Sequence, residues 1–106
     1  MKSIFTDDFT RCYVTGIYKT SGRIEIHHIF GASNRKRSTE YGFVIPLVAA
    51  IHPNGASANN KECFLLTGLT LKELDTMLKR KCQEYYETKL GKTREQFINE
   101  FGRNYL

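Results

Sequence analysis

The sequence predicts an α+β fold, strands first and helices after, and three observations carry that expectation. "RIEIHHI" (23–29) alternates apolar and polar residues, as a half-buried strand does. "FVIPLV" (43–48) is a short, β-branched apolar run bounded by polar sequence. The last third carries two capping boxes, Thr70 with Glu73 and Thr93 with Gln96, each opening an amphipathic run. Strands followed by helices, without regular alternation, is the order of an α+β domain.

Taken in order, "TRCYVTG" (10–16) reads as a short strand entering a turn, and "YKTSG" (18–22) as that turn. In 23–29 the alternation puts Ile24, Ile26 and His28 on one face and Arg23, Glu25 and His27 on the other. "FGASNRKRSTEYG" (30–42) is polar and glycine-flanked and reads as a long loop, a kind usually kept for function. Pro46 confines the second strand to an edge or a bulge. "HPNGASANN" (52–60) has turn chemistry and leads toward a short helix. Leu71, Leu74, Leu78, Cys82 and Tyr85 recur at helical spacing, Gly91 stops that helix, and Phe97, Ile98 and Phe101 form the face of the next. The two helices are expected over about 70–89 and 93–102. Tyr13, Tyr41, Tyr85 and Tyr105 are expected to pack.

A chain of 106 residues is most simply one domain. Its hydrophobic share of 41% and charged share of 25% are those of a globular protein, not a disordered one. "FVIPLVAAI" is the longest apolar stretch, too short to span a bilayer, and "MKSIFTDDFTR" has no apolar run of a secretory signal. A soluble cytoplasmic protein without membrane partners is expected. Cys12, Cys63 and Cys82 are odd in number and form no C-x-x-C pair, so neither a disulfide framework nor a cysteine zinc site is indicated. The net charge of +5 favours a polyanionic partner. Arg35, Lys36 and Arg37, placed in the loop, are the candidate phosphate contacts, whereas "KRK" (79–81) on a helix reads as a solvated face.

Two of three histidines stand side by side at the end of the first strand. Neighbouring strand residues face opposite ways, so His27 and His28 can divide the work of a phosphodiester hydrolase: one holds a divalent cation, the other deprotonates water. His52 is the remaining imidazole that could join them. On residue types alone a plainer assignment stands beside this one, a satisfied core histidine at a polar strand end and a turn-capping His52.

"IHHIFGASNRK…YGFVIPLVAAIH" resembles the HNH endonucleases of the ββα-metal fold, especially small phage-encoded members. Those carry a "VHHIFGG.NRK…YGLVIPLC..CH" pattern and a helical tail ending much like "FINEFGRNYL". The resemblance covers most of the chain and is loose between 52 and 70. It implies one HNH-like domain over 1–106, with a core of about 10–62 and a helical tail of about 70–106. It also implies hydrolysis of nucleic acid, DNA before RNA, with one divalent metal ion: Mg²⁺ or Mn²⁺ first, Zn²⁺ or Ni²⁺ next. By this resemblance His27 and His52 match metal-binding positions and His28 the general base, in the cytoplasm of a bacterial host.

The chain departs from that pattern at four places. The first cysteine pair becomes Cys12 and Thr15, and the second becomes Val48 and Ile51, so no structural zinc is expected and apolar burial must hold the corner. Phe43 stands where the family has an asparagine that orients the base. No late histidine supplies the last ligand, and Asn59, ahead of Asn60, is the candidate in its place. These departures leave a second reading: a nuclease fold without turnover that binds nucleic acid, or a host protein such as a defence nuclease that a phage inhibits. No heptad pattern argues for a dimer.

Overall fold

A computed structural model describes the whole chain, Met1–Leu106. Strands β1 (Ile24–His28) and β2 (Val44–Val48) pair antiparallel, His28 opposite Val44 and Ile24 opposite Val48. Four helices accompany them: α1 (Arg35–Tyr41), α2 (Asn60–Thr67), α3 (Leu71–Thr88) and α4 (Arg94–Phe101). The α+β class expected from the sequence is the class observed. In a sheet of two strands each strand is an edge, the setting in which Pro46 is tolerated. No helix is long and apolar enough to cross a membrane.

Both C-terminal helices form where local chemistry placed them. Thr70 accepts from Glu73 N at 3.2 Å while the Glu73 carboxylate accepts from Thr70 N at 2.9 Å. Thr93 and Gln96 repeat the exchange at 3.1 and 2.8 Å. Each box satisfies two amide groups that a helix start leaves open. The buried face of α3 is Leu74, Leu78, Cys82, Gln83 and Tyr86, so Tyr86 rather than Tyr85 is the fully buried member of that pair. On α4, Phe97 and Phe101 are buried while Ile98 is 38% exposed.

Two expectations fail. Residues 10–16 form no strand; they are a tight turn with a single bridge between Arg11 and Tyr18. Gly16 takes φ 77°, its N–H returns to Cys12 O at 2.9 Å, and Thr15 N points at Cys12 Sγ at 3.4 Å. Those local bonds satisfy the backbone that a strand would have paired. Residues 30–42 are not a loop either, because a short 3₁₀ turn (Ala32–Asn34) leads into α1. Arg, Lys and Glu are good helix formers, and Gly42 at φ 77° closes the helix with its N–H shared between Ser38 O and Thr39 O. The polarity read as loop is the exposed side of a helix.

Packing makes the elements one body. Cys12, Ile45, Leu47, Val48 and Ile51 share a buried cluster with Leu74, Leu78, Phe97 and Phe101, so the expected core and helical tail are not separate layers. Phe30 lies 4.4 Å from Phe101 and 5.8 Å from Phe97, centroid to centroid, and Tyr41 stacks on Phe43 at 5.4 Å. Such pairs contribute about 0.5–1.5 kcal/mol each beyond burial. The C-terminus is tied back by Gln83, which is fully buried: its Nε2 donates to Asn104 Oδ1 and to Glu87 Oε2, each at 2.8 Å, and its Oε1 accepts from Tyr105 N at 2.7 Å.

Ser38 anchors α1 under the end of β1. Its hydroxyl accepts from Phe30 N at 2.9 Å and donates to Phe30 O at 2.8 Å, with no solvent access. Ser38→Ala leaves the N–H and the C=O of buried Phe30 without this hydroxyl partner and is expected to cost about 2 kcal/mol in urea unfolding. An unchanged midpoint would mean that the hydroxyl does not hold α1.

Candidate active site

The register of β1 and β2 brings His27 opposite Ile45 and His28 opposite Val44, where the two-stranded ladder ends. There a cleft of about 310 Å³ opens, lined by His27, His28, His52, Arg35, Asp75 and Lys79 among others. Its walls come from the end of β1, the start of α1, the turn after β2 and the second turn of α3.

His27 is 5% exposed, and its Nε2 is buried with no hydrogen-bond partner. Burial, with the nearby His52, Lys79 and His28, lowers its pKa to about 3. The ring is therefore neutral at physiological pH and can present a free lone pair. His52 lies edge-on to it with centroids 4.9 Å apart. Glu25 Oε1 accepts from His52 Nδ1 at 2.7 Å, and Arg23 pairs with the other oxygen of Glu25 at 3.2 Å. That bond fixes Nδ1 as a protonated nitrogen, so in the neutral ring Nε2 carries the lone pair. Gly55 lies close beside it: a Cβ there would sit 3.0 Å from both His52 Nδ1 and His52 O, a tight contact. His28 is partly exposed; burial, then Arg35 and His52, hold its pKa below the ordinary histidine value.

The faces of β1 depart from those expected beyond Ile24, which does pack against the core. His27 is on the buried side with Glu25, and Ile26, assigned to the apolar face beside His28, is 37% exposed. Alternation by residue type misleads here because Glu25 has two cationic or donor partners, and a paired carboxylate can turn inward.

The structure brings together His27, His28, His52 and Arg35 and leaves the other candidates elsewhere. Asn59 caps α2, its Oδ1 accepting from Glu62 N at 3.0 Å, and it does not line the cleft; Asn60 Oδ1 accepts from Leu71 N at 2.9 Å. Lys36 and Arg37 are on α1, outside the cleft, and none of the three basic residues is in a loop. Arg37 donates to Glu100 O at 2.8 Å and to Asn34 Oδ1 at 3.3 Å, which fastens α1 to α4. Phe43 is buried among aromatic rings, and its carbonyl takes Ile29 N at 3.0 Å rather than the His28 ring. Sequence reasoning missed Glu25, Asn54, Asp75 and Lys79. Lys79, assigned to a solvated face, pairs with Asp75 at 2.9 Å and lies 5.8 and 5.7 Å from the Phe30 and Tyr105 ring centres. The signal was the spacing of Leu71, Asp75 and Lys79, one helical edge of the apolar stripe.

No family model, curated protein or solved structure matches the chain. No three His, Cys, Asp or Glu side chains converge closely enough to hold a metal ion as they stand. The donors that fit such an ion are two neutral-capable imidazoles, His27 with an unpartnered buried nitrogen and His52 with an oriented one.

The depressed pKa of His27 has a sign that can be tested. Below about pH 6.5 the unfolded chain takes up a proton there that the folded chain refuses until about pH 3, so this contribution to stability is present above that window and lost as pH falls through it. In EDTA, the gap in unfolding free energy between wild type and His27→Leu is expected to move by about 2–3 kcal/mol in the variant's favour between pH 7 and pH 4.5. A gap that does not change with pH would mean the ring titrates normally.

Proposed function

We propose that the chain is a metal-dependent endonuclease of the HNH type with a ββα-metal core, and that it hydrolyses phosphodiester bonds in DNA. The observation that carries this reading is the buried, unpartnered Nε2 of His27, in one cleft with an oriented His52 and a neutral, accessible His28. A core histidine kept only for packing would have its ring nitrogens satisfied.

His27 and His52 would hold the ion, with water completing its shell. When bound, the metal supplies the positive charge that stabilises the leaving oxygen of the scissile phosphate. His28, neutral near pH 7, accepts a proton from the attacking water at an imidazole nitrogen. Arg35, exposed and lining the cleft beside His28, receives a phosphate oxygen and steers the backbone into place. Its charge also helps keep His28 deprotonated. Contacts of this kind read phosphate and not base sequence.

A second reading, a nucleic-acid-binding module without turnover, is favoured by one observation: no three metal-binding side chains converge in the cleft. Incubation with supercoiled plasmid and single-stranded DNA in Mg²⁺, Mn²⁺ or Ni²⁺ separates the two. The enzyme nicks or cuts, EDTA stops it, and His28→Ala slows it by about 10²–10⁴-fold. Tight gel shift with no cutting in any metal would leave the binding module. Arg35→Gln is expected to reduce the salt slope of binding by about 0.9 and to move the acid limb of kcat/KM to higher pH. Lys36→Gln, outside the cleft, leaves that limb in place.

A further inference from the structure

The geometry points to Asp75 as the third protein donor of the cleft, held in reserve by Lys79 until a divalent cation displaces the ammonium. This inference rests on the reading of the cleft as a metal site. Asp75 is the one carboxylate among the residues lining the cleft, and it stands on α3, across from the histidines of β1. Its Oδ2 is engaged by Lys79 Nζ at 2.9 Å, one helical turn on, with both side chains about a fifth exposed. That engagement is exchangeable, because a partly solvated pair of one carboxylate and one ammonium is weak next to a carboxylate on a divalent ion.

Two independent features support the exchange. His27 Nε2 is buried in the same cleft and has no hydrogen-bond partner, so one nitrogen with ligand capacity is uncommitted there. Lys79 also has a second source of support: its ammonium already lies 5.8 and 5.7 Å from the Phe30 and Tyr105 ring centres, contacts that do not depend on Asp75. In the exchange the Asp75–Lys79 contact breaks, a carboxylate–metal bond forms, and Lys79 leaves with its proton. Freed there, it faces the cleft as a second cation beside Arg35, suited to a phosphate oxygen. Adding an oxygen anion to two imidazoles also tilts the site toward hard ions such as Mg²⁺ and Mn²⁺. Two opposite expectations follow for the two partners of one ion pair, which a purely structural salt bridge does not produce.

The test is calorimetric titration of the full chain with MnCl₂ at fixed ionic strength. Asp75→Asn is expected to weaken Mn²⁺ binding at least tenfold, and Lys79→Met to tighten it severalfold, with thermal melts in EDTA reporting whether each variant is folded. Should Asp75→Asn not fold, the Lys79→Met arm decides alone. Mn²⁺ binding as tight in Asp75→Asn as in wild type, no tightening in Lys79→Met, or no Mn²⁺ binding by wild type overturns the assignment. A parallel cleavage assay on wild type keeps the two readings apart: the expected Mn²⁺ affinities without DNA cutting sink the nuclease and leave the Asp75 site standing.

Discussion

Glu25 and His52 meet at 2.7 Å across the corner where β1 approaches the turn after β2, and that contact decides which side of β1 turns inward. A carboxylate alone would be expelled to solvent. With Arg23 on one oxygen and His52 on the other, it can remain partly buried and carry His27, its neighbour on the same face, into the protein. His28 then falls on the opposite, more open face. The separation of a shielded imidazole from an accessible one follows from this single pairing, as does the direction in which His52 offers its second nitrogen.

Elements specified by short-range chemistry were legible in the sequence. The capping boxes at Thr70 and Thr93 fix α3 and α4 almost residue for residue, because the bonds that start them lie within four positions. The meeting of His27 and His52 was legible too, since antiparallel pairing of the two apolar runs brings the short turn after β2, with His52 at its end, back beside β1. What failed required knowledge of partners far along the chain. Helix α1 was hidden because its one buried residue, Ser38, is held by Phe30 and not by an apolar stripe. Asn59 was mistaken for a ligand although Asn59 and Glu62 stand at N-cap spacing, where the amide oxygen is already committed. Asp75 and Lys79 looked like ordinary surface charge because an i, i+4 pair reads the same in solvent and at the rim of a cleft.

Behind the cleft, aromatic packing and a few buried polar bonds set its rigidity. Glu100 receives the hydroxyls of Tyr41 at 2.7 Å and of Tyr86 at 2.5 Å, joining α1, α3 and α4 at one carboxylate. Burial pushes that carboxyl upward, but the hydrogen bonds from the two tyrosines and the nearby Lys92 and Arg37 outweigh it and leave the net shift downward. Phe30 is the link from this layer to the cleft, since its ring packs on Phe101 and its centre lies 5.8 Å from the Lys79 ammonium. Gln83 does the same for the chain end by holding Tyr105 against Phe30 at 5.8 Å.

The corner built from Cys12, Val48 and Ile51 is closed by side chains that are almost wholly buried and belong to the main apolar cluster. Apolar contact holds it. Its integrity is then set by side-chain volume, and trimming Val48 or Ile51 would open space inside the same cluster that carries Leu74 and Phe97.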